Sequence, residues 1–461
     1  MSKFDVVVVG AGPAGIFTAL ELAKKRRGIR VVVMEKGPEI EERYCPSQEK
    51  DAACRKCSPC SIVAGWGGAG AFSDGKLTLS PEVGGMLDQY LPTEVVNDLI
   101  SYVDAVYVHF GAPKLVYGGR SEELEDIERR AILADLKLIP APVRHMGTGR
   151  TRHVLEGMRK YLEERGVIIW TRCPVAEIMV DGSRVKGVVL QSGEVVQADF
   201  VVVAPGRAGA EWLVGQANRL GLAMAINPVD IGVRVEVPAA VMEHLTRVIY
   251  EAKFVFYSKT FDDRVRTFCM NPHGEVVQEN SGDIITVNGH THADRKTQNT
   301  NFAILVSKTF THPFKEPIAY GKYVARLANL LGGGVIVQRL GDLMQGQRST
   351  PERIEKGLVA PTLKHATPGD LSLVFPYRHL TAIVEMLSAL DKIAPGVGSR
   401  HTLLYGVEVK FYSSRLELSG ELETKISNLF AAGDGAGVTR GLVQASASGV
   451  VAARAISRRL E

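Results

Sequence analysis

Phe4-Asp5-Val6-Val7-Val8-Val9-Gly10-Ala11-Gly12-Pro13-Ala14-Gly15, continued through a helical stretch to Val31-Val32-Val33-Met34-Glu35, is the segment that decides the fold. An apolar strand runs into Gly-x-Gly-x-x-Gly, a helix follows, and a second apolar strand ends on an acid. The glycines have separable reasons: Gly10 permits the tight turn, Gly12 lets backbone approach a pyrophosphate, and Gly15 lets helix and strand pack closely. The pyrophosphate would rest on N–H groups at the positive end of the helix, where Pro13 removes a donor that had no helical partner. The run Lys24-Lys25-Arg26-Arg27 before Gly28 suits the negative helix end and a left-handed cap. The Glu35 carboxylate is placed to accept from both ribose hydroxyls and would repel a 2′-phosphate, which favours FAD or NAD over NADP.

Working outward, the 461 residues can bury a large core and suggest two or three structural units. Hydrophobic residues make up 45% and charged residues 23%, which excludes a disordered chain and fits a globular enzyme. With a formal net charge of only +4 and interspersed acids and bases, no nucleic acid and no anionic membrane is expected as partner. Residues 6–23 are apolar enough to imitate a membrane span, but Gly10, Gly12, Pro13 and Gly15 split them into strand and helix. No secretion signal precedes the first strand, so a cytoplasmic protein is expected.

After Glu35, Arg43 is placed either to reach cofactor phosphates or to sit on a solvated loop. Cys45, Cys54, Cys57 and Cys60 then precede Gly65-Trp66-Gly67-Gly68-Ala69-Gly70-Ala71-Phe72-Ser73-Asp74-Gly75-Lys76-Leu77. That glycine stretch has too little side chain to build core and suits backbone lying against a flat ligand. Helices are predicted over Thr93 to Phe110, Ser121 to Leu133 and Thr151 to Arg165. From Val167 the period becomes that of strands: Val167 to Thr171, a hairpin of Val175–Val180 and Val185–Leu190 across Asp181-Gly182, then Phe200 to Ala204. Residues 225 to 400 mix strands with helices at Pro317–Leu331 and Tyr377–Ile393. The organisation predicted is α/β: a Rossmann-like FAD-binding domain over 1–220 and 400–461, with an inserted α+β substrate domain over 221–399.

The second strong signal is Leu429-Phe430-Ala431-Ala432-Gly433-Asp434-Gly435-Ala436-Gly437, with Gly441-Leu442-Val443-Gln444 opening a final helix. A strand delivering Gly433-Asp434 to a turn can set a carboxylate on ribityl hydroxyls. The N-terminus of the next helix can stabilise negative charge on a flavin pyrimidine. A simple NAD dehydrogenase has no need of this distal element, so the cofactor read here is FAD.

Cys45, Cys54, Cys57 and Cys60 have a spacing that can hold one [4Fe–4S] cluster, with tetrahedral zinc and a bare redox dithiol as the other readings. In the middle of the chain His290 and His292 are two apart, as residues on one face of a strand, and Cys269 and His273 precede them. These are candidate acids, bases or substrate contacts, or exposed loop residues. Arg144, His145, Arg150, Arg152 and His153 form a basic cluster that suits an anionic substrate or a solvated helix entrance. Arg234 lies in an alternating apolar strand, where a cation needs a partner: Glu236, a core carboxylate or a substrate acid.

Taken together, these residues resemble the FAD-dependent oxidoreductases of the glutathione-reductase-like superfamily, and more narrowly a group of prokaryotic FAD-dependent dehydrogenases. The narrower likeness rests on the glycine stretch 65–77, Ala204-Pro205-Gly206-Arg207, Ile231-Gly232-Val233-Arg234-Val235-Glu236, Phe268-Cys269-Met270-Asn271-Pro272-His273-Gly274-Glu275-Val276 and Lys410-Phe411-Tyr412-Ser413. Ala204-Pro205-Gly206 stands where many relatives have Ala-Thr-Gly, which removes one hydroxyl and one N–H. The resemblance implies FAD contacts at Gly10, Gly12, Gly15, Glu35, Arg43, Gly67, Gly68, Val175, Gly206, Gly433 and Asp434, with Leu442, Val443 and Gln444 near the flavin ring. Val175 would meet adenine through its backbone. No second Gly-x-Gly-x-x-Gly follows an apolar strand, so a separate NAD(P)H domain is not expected. The function read from these signals is a dehydrogenase passing hydride or electrons between FAD and an organic substrate; a metal centre at the cysteine loop would exchange electrons with a carrier such as ferredoxin. The alternatives are an NAD(P)H-driven flavin reductase, a flavin-dependent RNA-modification factor and a redox sensor.

Overall fold

A computed structural model describes residues 2–25, 28–46, 57–73, 75–225, 227–281, 284–291, 296–311, 313–314, 316–410 and 415–461. Cys54, Asp74, His292 and Phe411 to Ser413 lie outside the described residues. The chain forms two compact units: Met1–Val116 with Val143–Ala225 and Ser413–Glu461, and Tyr117–Pro142 with Ile226–Tyr412.

In the first unit the valine run of Ser2–Val9 is buried on both faces of a sheet, the position in which continuous apolar sequence is stable as strand. It pairs in parallel with Val31–Met34 on one side and Val195–Val203 on the other. The path of the sheet is Ile168–Trp170, Val31–Met34, Ser2–Val9, Val195–Val203, Arg184–Leu190 and Val175–Asp181. The last two form an antiparallel hairpin that pairs with the first half of Val195–Val203, while Leu429–Ala431 runs parallel to its second half. That strand begins five residues before the predicted Phe200, because Val195-Val196-Gln197 already pairs with the hairpin. Helices Pro13–Lys25 and Leu442–Leu460 pack closely: a Cβ at Gly449 would overlap the Ala14 carbonyl, and the Thr18 hydroxyl lies 3.2 Å from the Gly449 oxygen.

The helices predicted from Thr93 and Ser121 span Thr93–His109 and Glu122–Leu133, the latter capped by the Ser121 hydroxyl, which accepts from the Leu124 N–H. The helix predicted from Thr151 starts at Thr148, after Gly147 in a positive-φ turn.

The second unit is α+β. Its main sheet runs Thr367–Pro368, Ile336–Arg339, Leu403–Lys410, Val229–Pro238, Asn299–Lys308, Arg264–Asn271, Phe254–Tyr257 and Lys137–Leu138. Its core takes the apolar faces of helices Pro317–Gly332 and Tyr377–Asp391. A single insertion over 221–399 does not describe it. Residues 117–142 belong with this unit, because Lys137–Leu138 pairs with Phe254–Val255 and Leu124, Ile127 and Ala131 enter its core. No helix among the described residues is long and apolar enough to cross a membrane.

Candidate functional site

The glycine motif of the first unit is built as the sequence requires. Gly10 has φ +103°, its N–H donates to the Met34 oxygen at 2.7 Å, and a Cβ there would overlap the Ala204 carbonyl. A Cβ at Gly15 would overlap the Gly10 carbonyl oxygen. Gly12 differs: a Cβ there would meet no atom within 4 Å, so this side of the turn is open backbone at the start of helix Pro13–Lys25. A pyrophosphate needs that combination of rigid turn, bare backbone and helix N-terminus.

The glycine stretch comes to the same place. The Gly67 N–H donates to the Ala11 oxygen at 2.8 Å, and Gly68 lies so close that a Cβ there would stand 3.0 Å from the Gly12 Cα. Gly70 faces Leu442, the first residue of the C-terminal helix, at a Cβ distance of 2.6 Å from Leu442 Cδ2. Trp66 anchors the stretch: it is wholly buried, and its indole N–H donates to the Leu155 oxygen at 2.9 Å. That anchor was not read from the sequence, although a tryptophan among glycines has little else to do than fix a loop to the core.

Glu35 stands at the strand tip as expected, and its oxygens already accept from backbone: Oε2 from the Ala11 N–H, Oε1 from the Gly37 and Gly65 N–H groups, each at 2.9 Å. The carboxylate thus joins the first turn to the glycine stretch, and one lone pair, on Oε2, is left to accept a further hydrogen bond.

Arg43 is not where a phosphate contact would put it. Its guanidinium is 3% exposed and donates from Nε to the Ser61 oxygen, from Nη2 to the Ile62 oxygen and from Nη1 to the Trp66 oxygen. Its face lies over the Phe72 ring at 4.8 Å. Burial pulls the guanidinium down to about 10, with the Glu35 charge opposing. Arg43 therefore fastens the end of the cysteine segment to the glycine stretch.

Val175 begins its strand two residues after Cys173, whose N–H donates to the main-chain oxygen of Glu35 at 2.8 Å. Gly206 has φ +61° and is packed against Gly435, where a Cβ would stand 2.6 Å from the Gly206 oxygen. Gly433, at φ +77°, donates its N–H to the Ser448 hydroxyl. Asp434 Oδ1 accepts from the Thr439 hydroxyl at 2.8 Å and Oδ2 from Arg207 Nε at 3.2 Å. Burial raises the Asp434 carboxyl above the ordinary aspartate range, with Arg207 and Thr439 opposing. Arg207 and Thr439 were not assigned from sequence, since a surface arginine and a threonine carry no spacing signal.

The C-terminal helix opens at Leu442 with Gly441 as N-cap, so no side chain caps its first N–H groups. Val443 is core. Gln444 is 1% exposed; its Nε2 donates to the Pro81 and Val83 oxygens at 2.9 and 3.1 Å. Its side chain therefore clamps the segment 80–87, and only its backbone belongs to the helix N-terminus.

The catalytic candidates of the second unit fare differently. Arg234 is fully buried and saturated: it is bidentate to Glu408, donates to the Cys269 oxygen at 2.8 Å, and reaches Asn301 and Asn288. Its partner is a core carboxylate, and no donor is left for a substrate acid. Burial opposes the charge on both groups, yet Glu408 holds the Arg234 guanidinium above its usual value, and Arg234 with Lys410 holds the Glu408 carboxyl below the usual range. Glu408, overlooked in the apolar strand Leu403–Lys410, carried the same signal that singled out Arg234. Glu236 is bound instead by Tyr405, Thr362 and Asn299, and burial raises its carboxyl. Cys269 sits at a bulge with φ +44°, and His290 ends its strand, exposed. The basic cluster is also committed in part: Arg144 is bidentate to Asp104 and Arg152 pairs with Glu156.

Cys45, Cys57 and Cys60 are free thiols. Among the described residues no three His, Cys, Asp or Glu side chains are grouped as a metal ion requires, so the described geometry carries no metal step.

Comparison with known proteins agrees with this geometry. Residues 5–43 match the family model "FAD dependent oxidoreductase", residues 228–411 match "FAD-dependent protein, C-terminal domain-like", and residues 362–461 match "Glucose inhibited division protein A". A protein of Clostridium beijerinckii is 26% identical over the whole of this chain and 82% of its own length. Among solved structures, 3-ketosteroid-Δ4-(5α)-dehydrogenase from Rhodococcus jostii is 15% identical with a TM-score of 0.45, covering 99% of this chain and 97% of its own. Glycine oxidase from Geobacillus kaustophilus is 14% identical with a TM-score of 0.39, covering 99% and 95%. The glycine turn, the acid at the strand tip and the FAD-dependent family models matching residues 5–43 and 228–411 together support a FAD-dependent oxidoreductase.

Proposed function

We propose that the chain is a dehydrogenase that moves hydride or an electron pair between FAD and a small organic substrate, with ferredoxin or a similar carrier as the other redox partner. The observation that carries this reading is the meeting of three distant segments, with Gly68 on Gly12 and Gly70 on Leu442. Bound FAD supplies two-electron exchange with the substrate and one-electron exchange with the carrier. The chain's own residues bind and orient. Gly12 and the start of helix Pro13–Lys25 take the pyrophosphate, Glu35 takes ribose, and Asp434 takes ribityl hydroxyls. The first-turn N–H groups of Leu442, Val443 and Gln444 favour negative charge at the pyrimidine edge. Arg43 ties Ser61 and Ile62 to Trp66, which holds the cysteine segment beside this site and supports a carrier docking there.

An anaerobic absorption spectrum of the purified protein tests this, paired with iron and zinc analysis and repeated after NADH, NADPH or reduced ferredoxin. Flavin bands bleached only through ferredoxin support the reading. Bleaching by a nicotinamide overturns the carrier and makes the protein a nicotinamide-driven reductase. Iron or zinc in stoichiometric amount, lost on Cys57→Ser, would assign Cys45, Cys54, Cys57 and Cys60 to a [4Fe–4S] or zinc centre.

A further inference from the structure

Away from the dinucleotide turn, helices Pro13–Lys25, Thr93–His109 and Thr148–Glu164 leave a groove of about 330 Å³ in the first unit. Leu20, Lys24, Tyr102, Val106, Phe110 and Tyr161 line it. The volume is at the lower end of ligand cavities, which run from about 300 to 1,000 Å³. Leu20 lies seven residues beyond Pro13, roughly 10 Å along the helix axis at about 1.5 Å per residue, so the groove is distinct from the pyrophosphate turn.

Its chemistry is specific. Phe110 and Tyr161 meet edge to face with centroids 5.6 Å apart, and His109 meets Phe110 in the same way at 5.1 Å. Such an aromatic surface favours a flat aromatic ring. Three cations stand on the lining rings: Lys24 Nζ 5.0 Å and the Arg454 guanidinium 5.1 Å from the Tyr102 centroid, and the Arg165 guanidinium 4.3 Å from that of Tyr161. Lys24 lines the groove and Arg165 sits on the lining ring of Tyr161, and stacking restrains both charges in place of a spread of rotamers, while Arg454 is paired with Glu21. No Asp or Glu is among the lining residues. Neighbouring Glu21 accepts from the Tyr102 hydroxyl at 2.6 Å and from Arg454 at 2.9 Å, so its charge is answered from elsewhere.

We propose that this groove is a binding site for a planar aromatic acid, with the ring on Phe110 and Tyr161 and the acid group toward Lys24 and Arg165. The site is separate from the flavin chemistry and takes its ligand while FAD is bound.

Calorimetric titration of the FAD-loaded protein with 1-naphthoate, and with the neutral 1-naphthalenemethanol, tests this. The acid should bind more tightly than the alcohol. Lys24→Gln and Arg165→Gln should each weaken acid binding by about two- to fivefold, the range of an exposed charge pair. Ala105→Trp should abolish binding, because exposed Ala105 is on the groove wall and an indole there fills it. The flavin spectrum should be unchanged in every variant, which reports an intact unit. Absence of binding to the parent protein, equal binding of acid and alcohol, displacement of FAD, or binding that all three substitutions leave untouched would overturn the proposal.

Discussion

Arg234 and Glu408 meet across neighbouring antiparallel strands, Nε to Oε2 at 2.7 Å and Nη2 to Oε1 at 2.6 Å, with neither side chain exposed to solvent. Removing one partner of such a pair leaves the other buried and poorly answered, which costs about 3–5 kcal/mol, whereas replacing both by apolar groups is often close to neutral. Arg234→Met should therefore lower the urea midpoint of the second unit sharply, and Arg234→Met with Glu408→Met should recover much of the loss. A double variant as unstable as the single would show that Asn288, Asn301 and the Cys269 carbonyl need the guanidinium as much as Glu408 does.

His379 gives the second unit an acid sensitivity. The ring is 2% exposed, and neither nitrogen has a hydrogen-bond partner among the described residues. Burial, then the Lys308 charge, lowers the imidazole from 6.5 to about 4, with Asp263 opposing and Arg378 adding to the effect. The unfolded chain takes its proton near 6.5 and the folded chain only near 4. Stability is thus intact above pH 6.5 and lost as pH falls toward 4, by on the order of 3 kcal/mol at the lower limit. His379→Leu should flatten that slope while leaving stability at pH 7 within about 1 kcal/mol of the parent. Denaturant titrations at pH 7, 5.5 and 4.5 check this, and parallel pH dependences in the two proteins would refute it.

Gly12 and Gly15 separate cofactor binding from folding. A methyl at Gly15 collides with the Gly10 carbonyl, while one at Gly12 meets no protein atom. Gly15→Ala should destabilise the apoprotein. Gly12→Val should melt like the parent in its apo form yet retain little FAD on gel filtration. Equal FAD content in Gly12→Val and parent would place the pyrophosphate elsewhere.

Glu35→Gln should harm both properties. The carboxylate accepts three backbone N–H groups, and an amide presents an NH2 where one of its oxygens stood. An unsatisfied buried N–H costs about 1–3 kcal/mol, so a melting shift in the apoprotein should accompany weaker FAD retention. Loss of FAD alone, with unchanged apoprotein melting, would mean that the carboxylate serves only the cofactor.

The cofactor unit was legible because its signals are local and obligatory. Gly10, Gly15 and Gly433 sit where a side chain cannot, and the valine runs 6–9 and 31–33 leave no alternative to a buried parallel strand. The second unit was legible only in outline. Its sheet joins segments as far apart as Lys137–Leu138 and Phe254–Tyr257, a pairing that no short-range period announces. The same limit applies to the site. Sequence could say that Arg234 needed a partner but not that Glu408 supplies it 174 positions away. Arg43 carried the opposite lesson. Its place after Glu35 left a phosphate contact and a solvated loop as readings, whereas the carbonyls of Ser61, Ile62 and Trp66 make it a buried loop fastener.

The order in which the chain is threaded has a consequence for synthesis. All of the second unit precedes residue 413, while the cofactor unit draws Ser413–Glu461 from the far end of the chain. Until that segment leaves the ribosome, Leu429–Ala431 cannot extend the valine sheet and Gly449 cannot close on Ala14 and Thr18. The strand Ser2–Val9 thus belongs to a unit that is completed only after the second unit has been translated, and until then the nascent chain holds an apolar sheet without its Leu429–Ala431 strand.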